Sequence, residues 1–203
     1  MNRFDFYFDP VCPFAWAASR WLADQAGRHD DSVDWHVMSL AVLNEDREPA
    51  SDQQRRQLDT SRRLGRVFMA AVAKNGADAI GPPLYSAVGR RFHHAGDEMT
   101  PPRSSRRSSS RPDSPGELAE AMDDDSFDDA LRTAHQRSQD VLGETGGSPI
   151  TGINGTHFFG PVLSDIPTGD EAEALYSAIV TLGATSAFSQ LKRPTGGKPT
   201  FSA

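Results

Sequence analysis

The position of the one cysteine, Cys12, constrains this chain more than any other feature of its sequence. A short Asp9-Pro10-Val11 loop separates it from the aromatic run Phe4-Asp5-Phe6-Tyr7-Phe8, and it stands directly before Pro13 and a helical pattern over residues 14–26. The alternating aromatic run predicts a strand. Pro13 suits the first turn of a helix, where its missing N–H costs nothing. A lone cysteine in an arbitrary context reads as a small buried hydrophobe. Here the succession of strand, loop, Cys-Pro and helix sets the thiol at a helix N-terminus, facing unpaired N–H groups and the positive end of the helix dipole. Both favour the thiolate, so the sequence predicts a Cys12 pKa of roughly 3.5–7.5, against about 8.5 for a free thiol.

The residues that follow supply the rest of a fold. Val33-Asp34-Trp35-His36-Val37-Met38 alternates with period two and predicts a second strand. One helix between two strands is the pattern of a right-handed parallel βαβ unit. Residues 52–142 are helical in composition, with segments at 53–73, 84–92 and 125–142, and residues 143–149 break the pattern. Residues 150–153, Asn154-Gly155 and 157–159 predict a hairpin, because Asn-Gly supplies the positive φ angles of a type I′ turn. The first helix is expected to end near Gly27 and a last helix to run over 170–182, and the Gly/Pro/Thr-rich tail after Arg193 reads as mobile. This order is that of an α/β, thioredoxin-like fold with an inserted helical domain. Residues 1–43 and 147–203 form the thioredoxin-like part and 44–146 the insertion. In that fold the proline leading into the hairpin strand, here Pro149 after Ser148, is cis and faces the cysteine.

Residues 100–116 stand apart, with six Ser, four Arg and four Pro and no aliphatic or aromatic side chain. A disordered loop has such a composition. A GC-rich helical coding run read out of frame gives the same residues, and helix-forming sequence resumes at Glu117. Translating the other two frames of the DNA distinguishes these readings.

A net charge of −7 gives no reason to expect a nucleic acid or an anionic membrane as partner. No run approaches the roughly 18 apolar residues of a membrane span, and the first residues hold no signal-peptide apolar region. One cysteine forms no internal disulfide, which makes the cytoplasm the default compartment. No glycine-rich pattern follows the first strand, so no tightly bound nucleotide is expected. His93 and His94 are adjacent and do not share a helical face, so no metal site is expected either. His36 reads as structural, Trp16 and Trp21 as core, and Asp123-Asp124-Asp125 as an acidic helix start.

Several stretches together carry a resemblance. They are Phe8-Asp9-Pro10-Val11-Cys12-Pro13-Phe14, Ser19-Arg20-Trp21, His36-Val37-Met38-Ser39-Leu40, Leu43-Asn44, 128–131, and 155–164 with its Phe158-Phe159-Gly160-Pro161-Val162-Leu163. On these the chain resembles the DsbA-like thioredoxin-fold proteins of actinobacteria, most closely the mycothiol-dependent nitroreductase group. The resemblance implies a cytoplasmic oxidoreductase that takes mycothiol, or another low-molecular-weight thiol, as co-substrate beside an electrophilic or disulfide substrate. It implies Cys12 as the attacking thiol, with Pro13, Phe14, Asn44, Ser148 and Pro149 at the substrate or thiol site. The family motif is Cys-Pro-Trp-Cys, whereas this chain has Cys12-Pro13-Phe14-Ala15. Phe14 keeps an aromatic wall, and Ala15 stands where the resolving thiol is lost. A tyrosine expected about ten residues after Asn44 is absent, with Gln54 near its place. What remains is a monothiol route, a mixed disulfide on Cys12 resolved by an external thiol. Two other readings stay open: a kappa-type thiol transferase or isomerase that binds the small thiol non-covalently, and a catalytically silent thioredoxin-fold binding protein.

Overall fold

Strand β1 (Arg3–Phe8) runs inside a four-stranded sheet in the computed structural model, which describes residues 1–94, 120–197, 199 and 201. The anomalous stretch 100–116 lies outside the described residues. The other strands are β2 (Ser32–Val37), β3 (Ile150–Ile153) and β4 (Thr156–Phe159), in the spatial order β2-β1-β3-β4. β1 and β2 are parallel, with Phe6 opposite Trp35, and helix α1 (Pro13–Arg28) connects them. β3 is antiparallel to β1, with Tyr7 opposite Ile150. An antiparallel neighbour begins where β1 ends, and this brings residues 148–149 beside the loop that carries Cys12. The hairpin turn has the expected positive φ at Asn154 (51°) and Gly155 (91°).

Side chains two apart on a strand share a face. Phe4, Phe6 and Phe8 are fully buried on one face of β1, against Trp35 (6.3 Å ring to ring from Phe8) and Tyr85 (stacked at 3.8 Å on Phe8). Tyr7, Met38 and Ile150 form a smaller cluster with Val141 and Leu142. His36 pairs with Asp5 at 3.2 Å and stacks on Tyr7 at 4.4 Å, the structural place expected for it.

Between β2 and β3 lie α2 (Leu40–Leu43), α3 (Asp52–Asn75), α4 (Pro82–Gly89) and α5 (Asp128–Leu142). α3 starts at Ser51, whose Oγ accepts the Gln54 N–H (3.1 Å), while Gln54 Oε1 accepts the Ala50 N–H (2.6 Å). The Ser51 cap, with Gln54 also holding the N–H of Ala50 before it, explains the abrupt start of a long helix. Asp128 takes two bonds from Arg66, 2.7 and 2.9 Å, tying α5 to α3. Leu64, Phe68 and Leu131 belong to the same core cluster as Phe6 and Phe8, so the helices and the sheet share one apolar interior. The last helix, α6 (Gly169–Gly183), meets α1 where Trp21 Nε1–H donates to the Ala172 carbonyl at 3.1 Å.

Three boundaries differ from the sequence reading. α1 runs through Gly27 to Arg28, and the chain reverses at Asp30 (φ 54°), since aspartate also tolerates this conformation. The helix expected over 125–142 begins as a single 3-10 turn, Asp125–Phe127, capped by Asp124 Oδ1 on the Ser126 N–H (3.0 Å). The segment 84–92 is α-helical only to Gly89 and widens into a π turn, Arg90–His94. A Cβ on Gly89 would lie 2.1 Å from the Trp16 ring, and Trp16 is 1% exposed, so neither group has room to yield. Gly89→Ala is therefore expected to cost at least about 1–3 kcal/mol, the usual range for overpacking. A lower urea midpoint with an unchanged m-value measures it, and an unchanged midpoint refutes the close contact.

Candidate functional site

Cys12 is the N-cap of α1, with Pro13 in the first turn. Its Sγ accepts the Ala15 N–H at 3.5 Å and donates to the Ser148 carbonyl at 3.2 Å. The loop before it is wound by Asp9, whose carbonyl accepts the Cys12 N–H (3.0 Å) and whose Oδ1 accepts the Val11 N–H (2.8 Å). Such a local aspartate turn fixes the backbone of the intervening residue. Across the site the Ser148–Pro149 peptide bond is cis, and Ser148 Oγ accepts the Asp9 N–H at 2.9 Å. The structure thus brings Cys12, Pro13, Phe14, Ser148 and Pro149 to one end of the sheet. Phe14 is half-buried beside the core, and Ala15, fully buried, lies one helical turn from Cys12.

The acidity of Cys12 departs from expectation. Cys12 is 4% exposed, and burial pushes its thiol up to about 11. The N–H groups of Ala15 and Phe14 and the Ser148 side chain act in the opposite direction, and the Asp9 carboxylate reinforces burial. The helix N-terminus is present as predicted, but desolvation of the thiolate outweighs it. The thiol also donates to a carbonyl, a contact available only to its protonated form.

Asn44 ends α2, and its Nδ2 donates to the Leu40 carbonyl at 2.7 Å. Among the described residues no hydrogen bond joins Asn44 to the Cys12 loop. The start of α2 makes that link instead, through the Leu40 N–H and Asp9 Oδ2 (2.6 Å).

Asp9, Ser61 and the His93–His94 pair escaped the sequence reading as site residues. Asp9 is fully buried; burial raises its pKa, and bonds from Ser61, Leu40 and Val11 oppose that rise. Its place in Asp9-Pro10-Val11 was a visible turn signal, whereas Ser61 on α3 carries none. His93 donates from Nε2 to the Pro10 carbonyl (3.1 Å) and stacks on Trp16 (5.5 Å), while Trp16 Nε1–H donates to His94 Nε2 (3.1 Å). Burial holds the His93 pKa down to about 4, which keeps it a neutral ring at neutral pH. The tail read as mobile is seated here too: Pro199 is buried, and the Phe201 ring lies 5.7 Å from His93 and 5.4 Å from His94. Among the described residues no group of three or more His, Cys, Asp or Glu side chains is placed to hold a metal. No helix there is long and apolar enough to cross a membrane.

Comparison with known proteins bears on this site. The family model for Rv2466c-like proteins, described as mycothiol-dependent nitroreductase Rv2466c, matches residues 11–193. The uncharacterized protein Rv2286c of Mycobacterium tuberculosis (strain ATCC 25618 / H37Rv) is 29% identical over 196 residues, covering 96% of this chain and 83% of that protein. Among solved structures, the cytosolic disulfide reductase DsbM from Pseudomonas aeruginosa with GSH superposes with a TM-score of 0.51 at 16% identity, over 88% of this chain and 99% of that one. At that identity the likeness concerns the fold, a thioredoxin-like sheet with helices inserted between β2 and β3.

Proposed function

The chain belongs to the Rv2466c-like family of DsbA-like thiol oxidoreductases, and from that premise we propose that it exchanges mycothiol, or another low-molecular-weight thiol, with a disulfide or other electrophile through Cys12 alone. The observation that carries this reading is the placement of Cys12 Sγ between the N-terminus of α1 and the Ser148 carbonyl, 3.2 Å away. An extended substrate aligned along the Ser148 backbone brings its sulfur to that point. Phe14 supplies an apolar wall beside it, and Pro13 and Pro149 shape the two sides. In the first step the Cys12 thiolate attacks one sulfur of the substrate disulfide. A Cys12–S–S–R bond forms, the substrate S–S bond breaks, and the other half leaves as a thiolate that takes up a proton. Ala15 offers no second sulfur. A free small thiol, having lost its proton, therefore attacks the mixed disulfide, forms a new disulfide with R and returns Cys12 as thiolate. Each such cycle consumes one small thiol, releases one half of the substrate disulfide as a thiol and leaves the other half as a mixed disulfide with the small thiol; a second small thiol, exchanging with that product, completes the reduction.

DsbM is described with GSH, and a protein of this fold that meets a small thiol supports the co-substrate class. The division into a thioredoxin-like part (1–43, 147–203) and a helical insertion (44–146), action in the cytoplasm, and substrates that are small molecules rather than nucleic acid or membrane belong to the same reading.

Intact mass after exposure to mycothiol disulfide tests it. Wild type is expected to gain one mycothiol on Cys12, reversible by added thiol, and Cys12→Ser to gain none. Tight non-covalent retention without an adduct would replace this reading with the kappa-type one. No binding of either kind would leave a silent binding protein and overturn the proposal.

A further inference from the structure

We propose that Asp9 is a positioning residue for Cys12, the junction through which Ser61 of α3 holds both walls around the thiol. All of its polar groups are engaged, by its own loop, by α2 and α3, and by the entrance to β3. Oδ1 accepts the Val11 N–H (2.8 Å), and Oδ2 accepts the Leu40 N–H (2.6 Å) and the Ser61 hydroxyl (2.5 Å). The backbone carbonyl accepts the Cys12 N–H (3.0 Å), and the backbone N–H donates to Ser148 Oγ (2.9 Å). Ser148 in turn accepts the thiol on its carbonyl. One residue thus sets the loop that presents Cys12 and the strand entrance facing it.

Ser61 extends this hold into the helices. It is fully buried, donates to Asp9 and accepts the Ala41 N–H at 3.1 Å.

The chemistry favours a geometric role over an electrostatic one. A negative charge beside Cys12 disfavours the thiolate, so it does not serve to activate the sulfur. A carboxylate is what presents two acceptor oxygens to three donors from three elements; asparagine has one acceptor oxygen and turns an NH2 toward donors on its other side. The titratable groups facing Cys12 are Asp9 and, from α4, the Tyr85 hydroxyl.

The inference rests on Cys12 as the attacking thiol and not on mycothiol. Its test follows Cys12 alkylation by iodoacetamide against pH, and mixed-disulfide formation with bis(2-hydroxyethyl) disulfide, in wild type, Asp9→Asn and Ser61→Ala, each scaled to the folded fraction. In Asp9→Asn the alkylation midpoint is expected to fall by about 0.5 pH, as a nearby negative charge is removed. Its limiting rate of mixed-disulfide formation is nonetheless expected to drop about tenfold or more, since small misplacements of reacting atoms have effects of that size. Ser61→Ala, which keeps the charge, is expected to leave the midpoint in place and slow the limiting rate about threefold. If Asp9→Asn does not fold, Ser61→Ala decides alone. A wild-type limiting rate of mixed-disulfide formation in Ser61→Ala or in Asp9→Asn overturns the assignment. A wild type that alkylates at Cys12 but never forms the mixed disulfide fails the proposed function instead, and the limiting alkylation rates at high pH of Asp9→Asn and Ser61→Ala, expected below wild type, then judge Asp9.

Discussion

An Ala15→Cys variant is expected to cut the lifetime of the Cys12 mixed disulfide, in the absence of added thiol, from hours to minutes or less. Ala15 lies one turn along α1 from Cys12, and its backbone N is already 3.5 Å from Sγ. Residues three apart on a helix face each other, and a disulfide needs Cα atoms about 4.4–6.8 Å apart, which that spacing meets. A thiol there attacks as part of the same molecule, with an effective concentration far above that of any free thiol. Wild type lacks this route, and without added thiol its adduct meets no second sulfur able to attack it, so it persists for hours. The new sulfur must enter filled space, because Ala15 is fully buried, so the variant is expected to lose roughly 1–3 kcal/mol of stability while gaining release. Intact mass over time resolves the adduct, the free thiol and the internally oxidised form, which is lighter by two hydrogens. Equal release from wild type and variant would mean that Ala15 does not limit this protein, and the single-cysteine mechanism fails with it.

What the sequence could show of this site follows from the range of the interactions involved. The β1–Cys12–α1 unit is local. An aromatic strand, an Asp-Pro turn and a Cys-Pro helix start each declare themselves within a few residues, and all three are present. The Asn154-Gly155 turn was legible for the same reason, since its φ angles restrict it to few residue types. Interactions that cross the fold were not legible. Ser61 sits 52 positions from the carboxylate it serves, on a helix where a serine has no distinguishing pattern. The widening of α4 at Gly89 depends on a Trp16 ring from another helix, and Phe201 finds its histidines across more than a hundred residues. Asn44 was placed by resemblance, and its side chain closes its own helix. The largest departure, the acidity of Cys12, has the same origin. The helix N-terminus is a local effect and was visible, whereas burial to 4% exposure is a product of the whole fold.

That departure sets a strong pH dependence. With its pKa pushed up to about 11 by burial, resting Cys12 is almost wholly protonated at pH 7. Its alkylation there is expected to be roughly 10²–10³ times slower than that of free cysteine, in proportion to the thiolate present. The same displacement bears on stability. The folded-state pKa lies above the unfolded value near 9, so the native chain holds the proton more tightly. The stabilisation this gives is complete below pH ~9 and is lost as pH rises toward 11, about 2–3 kcal/mol in all. Tyrosines and lysines titrate over the same interval, so the measurement is the difference between wild type and Cys12→Ala in urea midpoint at pH 8, 9, 10 and 11. That difference is expected to shrink steadily above pH 9. Turnover at neutral pH then requires the substrate to act on the thiol's surroundings. On the proposed mechanism, a disulfide substrate whose own N–H seats on the Ser148 backbone would take over the carbonyl that now accepts the Sγ–H, and leave the Ala15 N–H as the sulfur's polar neighbour. Mixed-disulfide formation at pH 7 is accordingly expected to outrun alkylation by far more than the intrinsic reactivities of the two reagents allow. A pH-independent stability difference, with alkylation already maximal at pH 7, would mean that the end of α1 outweighs burial, and Cys12 would be a preformed thiolate that needs no substrate to uncover it.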